Sequence, residues 1–126
     1  MLQTELEPRQ GYLHAVLSGE LTLAGAKAAY TTILLGAARY GQPRILMDCT
    51  RLRGTWNTEE RLAFGAYMAE EQARLAGQLK SPPQVAILAV APLMDPSRFT
   101  QTVANNRGVR MRASESLQEL LSWLGV

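Results

Sequence analysis

The seven residues Gln84–Val90 (QVAILAV) are apolar at every position after the first. A strand with one wet face alternates apolar and polar residues, whereas a strand that is apolar throughout is covered on both faces. This one is expected to be central in a sheet with cover on both sides. A second run, Arg44–Cys49 (RILMDC), places Ile45, Leu46 and Met47 in succession. Pro43 before it and a polar loop after it favour a strand over a helix segment of the same length.

The rest of the chain fits around these two strands. Residues 2–6 alternate and predict a short, half-exposed strand. Pro8 and Gly11 bracket a turn, and 12–18 (YLHAVLS) predict an antiparallel partner. Thr22 is placed to cap a helix whose Leu23, Ala26, Tyr30, Ile33, Leu34, Ala37 and Tyr40 share one side, with Gly41 and Pro43 as its stop. A long helix is predicted from about Thr58 to Ala76. Asn57 and Glu60 form its capping box, and Glu59 and Glu60 sit in its first turn, where the helix dipole favours negative charge. Asp95 followed by Pro96 predicts a short helix through Asn106. Residues 109–112 (VRMR) predict an edge strand. Ser116 and Glu119 predict a capping box for a last helix carrying Leu117, Leu120, Leu121 and Leu124.

Strands alternating with helices after an opening hairpin predict one α/β domain over residues 1–126. Its sheet is expected to be mixed and mostly parallel, with about five strands and four helices. Of the 126 residues, 47% are apolar and 19% charged, which suits a packed core. The net charge is +2 and the arginines are spread along the chain, so no nucleic-acid partner is expected. There is no signal-peptide pattern and no apolar run long enough to span a bilayer. A protein of the cytoplasm, with no membrane span, is the expectation.

Catalytic and cofactor motifs are absent. No GxxxxGK or GxGxxG follows a strand, and the single His14 and single Cys49 make no metal set. No cofactor, no metal and no enzymatic activity are expected. Asp48, at a strand end, lacks the acidic pair and the lysine of a phosphoacceptor site. It is expected to bond its own loop backbone. Cys49 reads as a buried, inert thiol, and His14 as a structural histidine in its strand.

The long helix carries two apolar strips. Leu62, Gly65, Ala66, Ala69, Ala73 and Ala76 are mostly small and are expected to lie close to the sheet. Phe64, Met68 and Leu75 fall about 120–160° round the helix. One sheet does not readily bury both, which leaves the second strip to a neighbouring helix or to a partner.

Four stretches, SGELT at 18–22, ILMDCT at 45–50, VAILAV at 85–90 and SLQELLSWL at 116–124, resemble the STAS family. The similar branch is the SpoIIAA-like, anti-sigma-factor-antagonist-like one. The resemblance implies helices mainly on one side of a mixed sheet and a non-enzymatic role in binding another protein. In some relatives it implies a small or lipid-like ligand. In the antagonists a serine of a DSSG-like motif at the start of the second helix is phosphorylated by a partner kinase. The corresponding stretch here is TWNT, 55–58, with Asn57 at the phosphorylated position and without the motif's aspartate and glycine. Thr55 and Thr58 are the hydroxyls left to accept a phosphate.

Together these readings predict a regulatory module that binds a protein partner. Its surface is expected to comprise Arg51, Arg53 and Trp56 in the loop and Phe64, Met68 and Leu75 on the helix, an aromatic anchor flanked by arginines. Self-association as a homodimer through the same strip is a further use. The alternative is a carrier for a small apolar or lipid-like ligand, with its pocket under the long helix.

Overall fold

Gly11 takes φ +90°, a conformation open to glycine, and closes a two-residue turn between Arg9 and Tyr12. The computed structural model describes residues 1–126, and this turn joins β1 (Gln3–Arg9) to β2 (Tyr12–Glu20). β1 therefore runs on past the expected end at residue 6 and includes Pro8. An edge strand tolerates proline because nothing pairs with its outer side.

Three strand–helix units follow. They comprise α1 (Leu23–Tyr40), β3 (Arg44–Arg53), α2 (Thr58–Arg74), β4 (Gln84–Leu88), α3 (Phe99–Asn106) and β5 (Arg110–Ser114), with α4 (Leu117–Leu124) last. The sheet order is β1-β2-β3-β4-β5, antiparallel only between β1 and β2. Because the order never reverses, right-handed crossovers put α1, α2 and α3 on one face. α4 packs on the other face, over β4 and β5. The fold class is the one the sequence predicts.

The larger core cluster lies on the three-helix face and takes Leu13, Ala15 and Leu17 from β2 and Ile45 and Met47 from β3. The smaller cluster joins Leu46 and Ala86 to Leu120 and Leu124 of α4. This division explains the consecutive apolar residues of β3 and β4, since neighbouring positions feed different cores. β4 is interior, but β3 is the middle strand, and β4 ends at Leu88. Ala89 stays buried while Val90 is exposed.

The helix caps follow the residues. Thr22 accepts from the Gly25 amide, and Gly41 adopts the left-handed conformation at the end of α1. Asn57 and Glu60 form the reciprocal capping box of α2. Ser116 caps α4 through the Glu119 amide, but the Glu119 carboxylate turns instead to Arg112 at 3.1 Å, so that box is half made. Asp95 does not start a helix at Pro96. Its carboxylate accepts from Ser97 N and Oγ and from Phe99 N, closing a turn, and α3 begins at Phe99 after Arg98 in a left-handed conformation.

α2 is rotated relative to the sequence expectation. Phe64, Met68 and Leu75 are buried in the main core, whereas Leu62 on the small-residue strip is 43% exposed and Ala73 and Ala76 face solvent. Burying the large side chains removes far more apolar area from water than burying alanines. Gly65, at the border of the two strips, meets α3. A Cβ there would stand 2.9 Å from Val103 Cγ1 and 3.1 Å from Thr100 O.

One carboxylate is buried with this rotation. Glu71 accepts from Thr31 Oγ1 of α1, from Tyr67 Oη at 3.1 Å, and from Arg74 Nε and Nη2 at 2.6 and 2.8 Å. The Arg74 hydrogen bonds lower its pKa to about 2, against the opposing effect of burial and with help from Thr31 and Tyr67. The cluster ties α1 to α2 at the position where a charge would otherwise oppose packing.

Candidate functional site

Between Asp48 and Arg51, β3 has one more residue than β2 has between Val16 and Ser18. This is a β-bulge, and it resets the alternation of the strand. Before it, Met47 and Cys49 point to the helices. After it, Leu52 does so, opposite Gly19, while Arg51 and Arg53 emerge on the far face, opposite Ser18 and Glu20. Asp48 supports the irregularity, since its Oδ1 accepts from Thr50 N at 2.9 Å and Thr50 Oγ1 at 2.6 Å. The carboxylate thus satisfies backbone that the ladder leaves out, in keeping with the structural role expected of it.

The connection to α2 is consequently shorter than the sequence reading made it, covering only residues 54–57. Gly54 turns at φ +111°. Thr55 Oγ1 donates to Pro92 O at 3.1 Å and receives Arg61 Nη2 at 3.4 Å. Trp56 folds inward, 9% exposed, and Asn57 caps the helix. Thr58 stands exposed in the first turn.

Behind the loop lies a cavity of about 80 Å³, between the carboxyl ends of the inner strands and the helices α2 and α3. Its walls include Leu52, Trp56, Phe64, Ile87, Leu93 and, from β5, Ala113. Arg61, Asp95 and Arg98 are its charged members, with Arg61 Nε 3.9 Å from Asp95 Oδ2. Arg61 also reaches Leu93 O at 3.4 Å. Trp56 Nε1 is buried without a hydrogen-bond partner. Cys49 also lines the cavity. Burial, and then the Asp48 carboxylate, push its thiol up to about 12, so it stays protonated and a poor nucleophile. His14 pairs in register with Leu46, on the opposite face of the sheet, and gives Cys49 no base.

No protein-family profile matches the chain, and no curated protein does. Solved structures do. An anti-sigma factor antagonist from Mycobacterium paratuberculosis superposes with a TM-score of 0.59 at 15% identity, covering 100% of this chain and 96% of that one. The fold is SpoIIAA-like. A DUF3478-family protein with a SpoIIAA-like fold from Shewanella loihica PV-4 agrees, with a TM-score of 0.53 at 23% identity, covering 98% of this chain and 93% of that one.

Within this SpoIIAA-like frame the six expected surface residues separate. Arg51 and Arg53 are exposed together at the end of β3. Trp56, Phe64, Met68 and Leu75 are core side chains, which corrects the expectation that the loop tryptophan and the helix strip line the partner surface. The helix rotation and the inward fold of the loop are the physical reasons. No helix is long and apolar enough to cross a membrane. The sequence reading missed Leu52, Arg61, Asp95 and Arg98 around the cavity. The alternation Arg51-Leu52-Arg53 was a readable sign of continued strand. For the other three no local pattern exists, because they meet through tertiary packing.

Proposed function

We propose that this SpoIIAA-like domain, residues 1–126, is a non-enzymatic regulatory module that docks a protein partner at the carboxyl end of β3. The observation that carries the reading is the pair Arg51 and Arg53, exposed side by side in a strand whose inner residue, Leu52, anchors them to the core. The strand fixes the backbone beneath both arginines, and each planar guanidinium matches carboxylates in a forked geometry, so less freedom is lost per hydrogen bond formed. An acidic partner surface fits it. The fold likeness to an anti-sigma factor antagonist supports a regulatory role. Thr58, exposed at the first turn of α2, is the hydroxyl available for modification. Thr55 is already engaged with Pro92 and Arg61. The test is capture of partners by the native protein and by the Arg51→Glu/Arg53→Glu variant. A protein held by the first and lost by the second supports the reading, and equal capture rejects it. Self-association is scored in the same experiment by sedimentation.

A second reading, a binding protein for a small apolar ligand, is favoured by one observation, the cavity behind Trp56.

A further inference from the structure

An open sheet leaves two edge strands, here β1 and β5, each with a row of amides and carbonyls that face no neighbouring strand. The two edges are blunted differently. β1 carries Pro8, which has no amide, and the exposed Glu5, Glu7 and Arg9. β5 (RMRAS) has no proline. Ala89 N donates to Ser114 O at 3.2 Å, so Ser114 turns its backbone groups to β4. Alternation along the strand turns those of Arg112 to β4 as well, and those of Met111 and Ala113 outward. Both outward amides are taken by side chains of α3. Asn105 Oδ1 accepts from Met111 N at 3.1 Å, and Gln101 Oε1 accepts from Ala113 N at 2.7 Å. The spacings match, since four residues of helix rise about 6 Å and two residues of strand about 6.6 Å. Gln101 and Asn105 thus stand where the carbonyls of one more strand would stand.

We propose that β5 is a latent self-association edge, held closed by Gln101 and Asn105, and that its occupant once they are gone is β5 of a second copy. Two-fold antiparallel pairing centred on Arg112 sets Met111 of one chain opposite Ala113 of the other. In that register the outward amides and carbonyls of both strands are satisfied, and the Met111 and Ala113 side chains stay on the three-helix face of each copy. The Arg112 guanidiniums that meet at the axis each keep their own Glu119 carboxylate at 3.1 Å, which offsets the repulsion of like charges. β1 of a second copy fits less well, because Pro8 brings no amide. Apart from these two bonds α3 is lightly held. No side chain caps its N-terminus, and of its eight residues Val103 and Ala104 alone are buried. Loss of both bonds bares the edge and frees α3 to move off it. The edge lies two strands away from Arg51 and Arg53, so the inference is independent of the docking reading above.

The test compares the native protein with Gln101→Ala/Asn105→Ala by sedimentation over a range of concentrations and by amide exchange of ¹⁵N-labelled protein. Arg112, whose amide faces β4, is the internal control. In the native protein Met111 and Ala113 should be protected to the same degree at every concentration. In the dilute variant each should exchange about fivefold faster, the loss of one hydrogen bond. In the concentrated variant a dimer should form and the protection of both should return, with Arg112 unchanged throughout. If the double variant fails to fold, Gln101→Ala alone decides. It keeps Asn105 on Met111 and should give a weaker dimer through Ala113. A folded variant that stays monomeric at every concentration overturns the proposal. So does a dimer that leaves the bared amides unprotected, because its contact lies elsewhere. A native protein whose protection at Met111 and Ala113 rises with concentration overturns the closure as well.

Discussion

The ring centroids of Trp56 and Phe64 lie 5.0 Å apart, with the planes inclined at 46°. Phe64 in turn meets Tyr30 edge-on at 5.9 Å and 76°. The chain of three rings runs from the loop after β3, through α2, to α1. The loop is therefore fixed from beneath, and its outward groups are held in place by the core.

Trp56→Ala is accordingly expected to destabilise the fold by about 3–5 kcal/mol, the range for removing a large buried aromatic. Urea unfolding followed by circular dichroism measures it. A loss within about 0.5 kcal/mol is what a surface residue would give, and would contradict the burial of this ring.

Gly65→Ala brings a methyl group to within 2.9 Å of Val103 Cγ1 and 3.1 Å of Thr100 O. The helix-propensity gain of alanine is about 1 kcal/mol. The overpacking cost is about 1–3 kcal/mol, and the Thr100 carbonyl is backbone that does not swing aside. Net destabilisation is expected, read as a lower midpoint in the same urea titration. A stabilised variant would show that α2 and α3 are further apart.

Glu71 supplies a pH dependence of known sign. Its folded pKa of about 2 lies below the ordinary 4.5. Its stabilisation is thus fully present above 4.5 and fades as pH falls toward about 2. Glu71→Gln should lower the melting temperature at neutral pH. The gap from the native protein should stay constant down to about pH 5 and narrow below it. The size is modest, about 1 kcal/mol, because Arg74 is 62% exposed and water screens the pair from outside. A gap that does not change with pH contradicts the assignment.

The sequence carried the architecture because its signals were local. Consecutive apolar residues at Ile45–Met47 and Val85–Leu88 require cover on both faces, and Thr22, Gly41, Asn57 and Gly125 mark helix ends by their own chemistry. The site was less legible because it depends on rotation and register. Two strips on α2 offered two ways to face the sheet, and the choice fell to the bulkier one by buried area. The bulge at Thr50 reverses which residues of β3 point outward, and it follows from pairing with β2. Asp95 and Pro96 read as a helix start, yet the carboxylate closes a turn and α3 begins only at Phe99. Arg61, Asp95 and Arg98 come together only once α2 and the segment before α3 have packed.

The central claim is that Arg51 and Arg53 form the docking edge. It is tested most directly by the dissociation constant of a captured partner for the native protein and for Arg51→Glu/Arg53→Glu, measured by calorimetry at two salt concentrations. Both arginines are exposed, so the variant should keep its unfolding midpoint. The expected result is a loss of affinity of about tenfold or more, together with a weaker salt dependence. An unchanged dissociation constant in a folded variant would contradict the account.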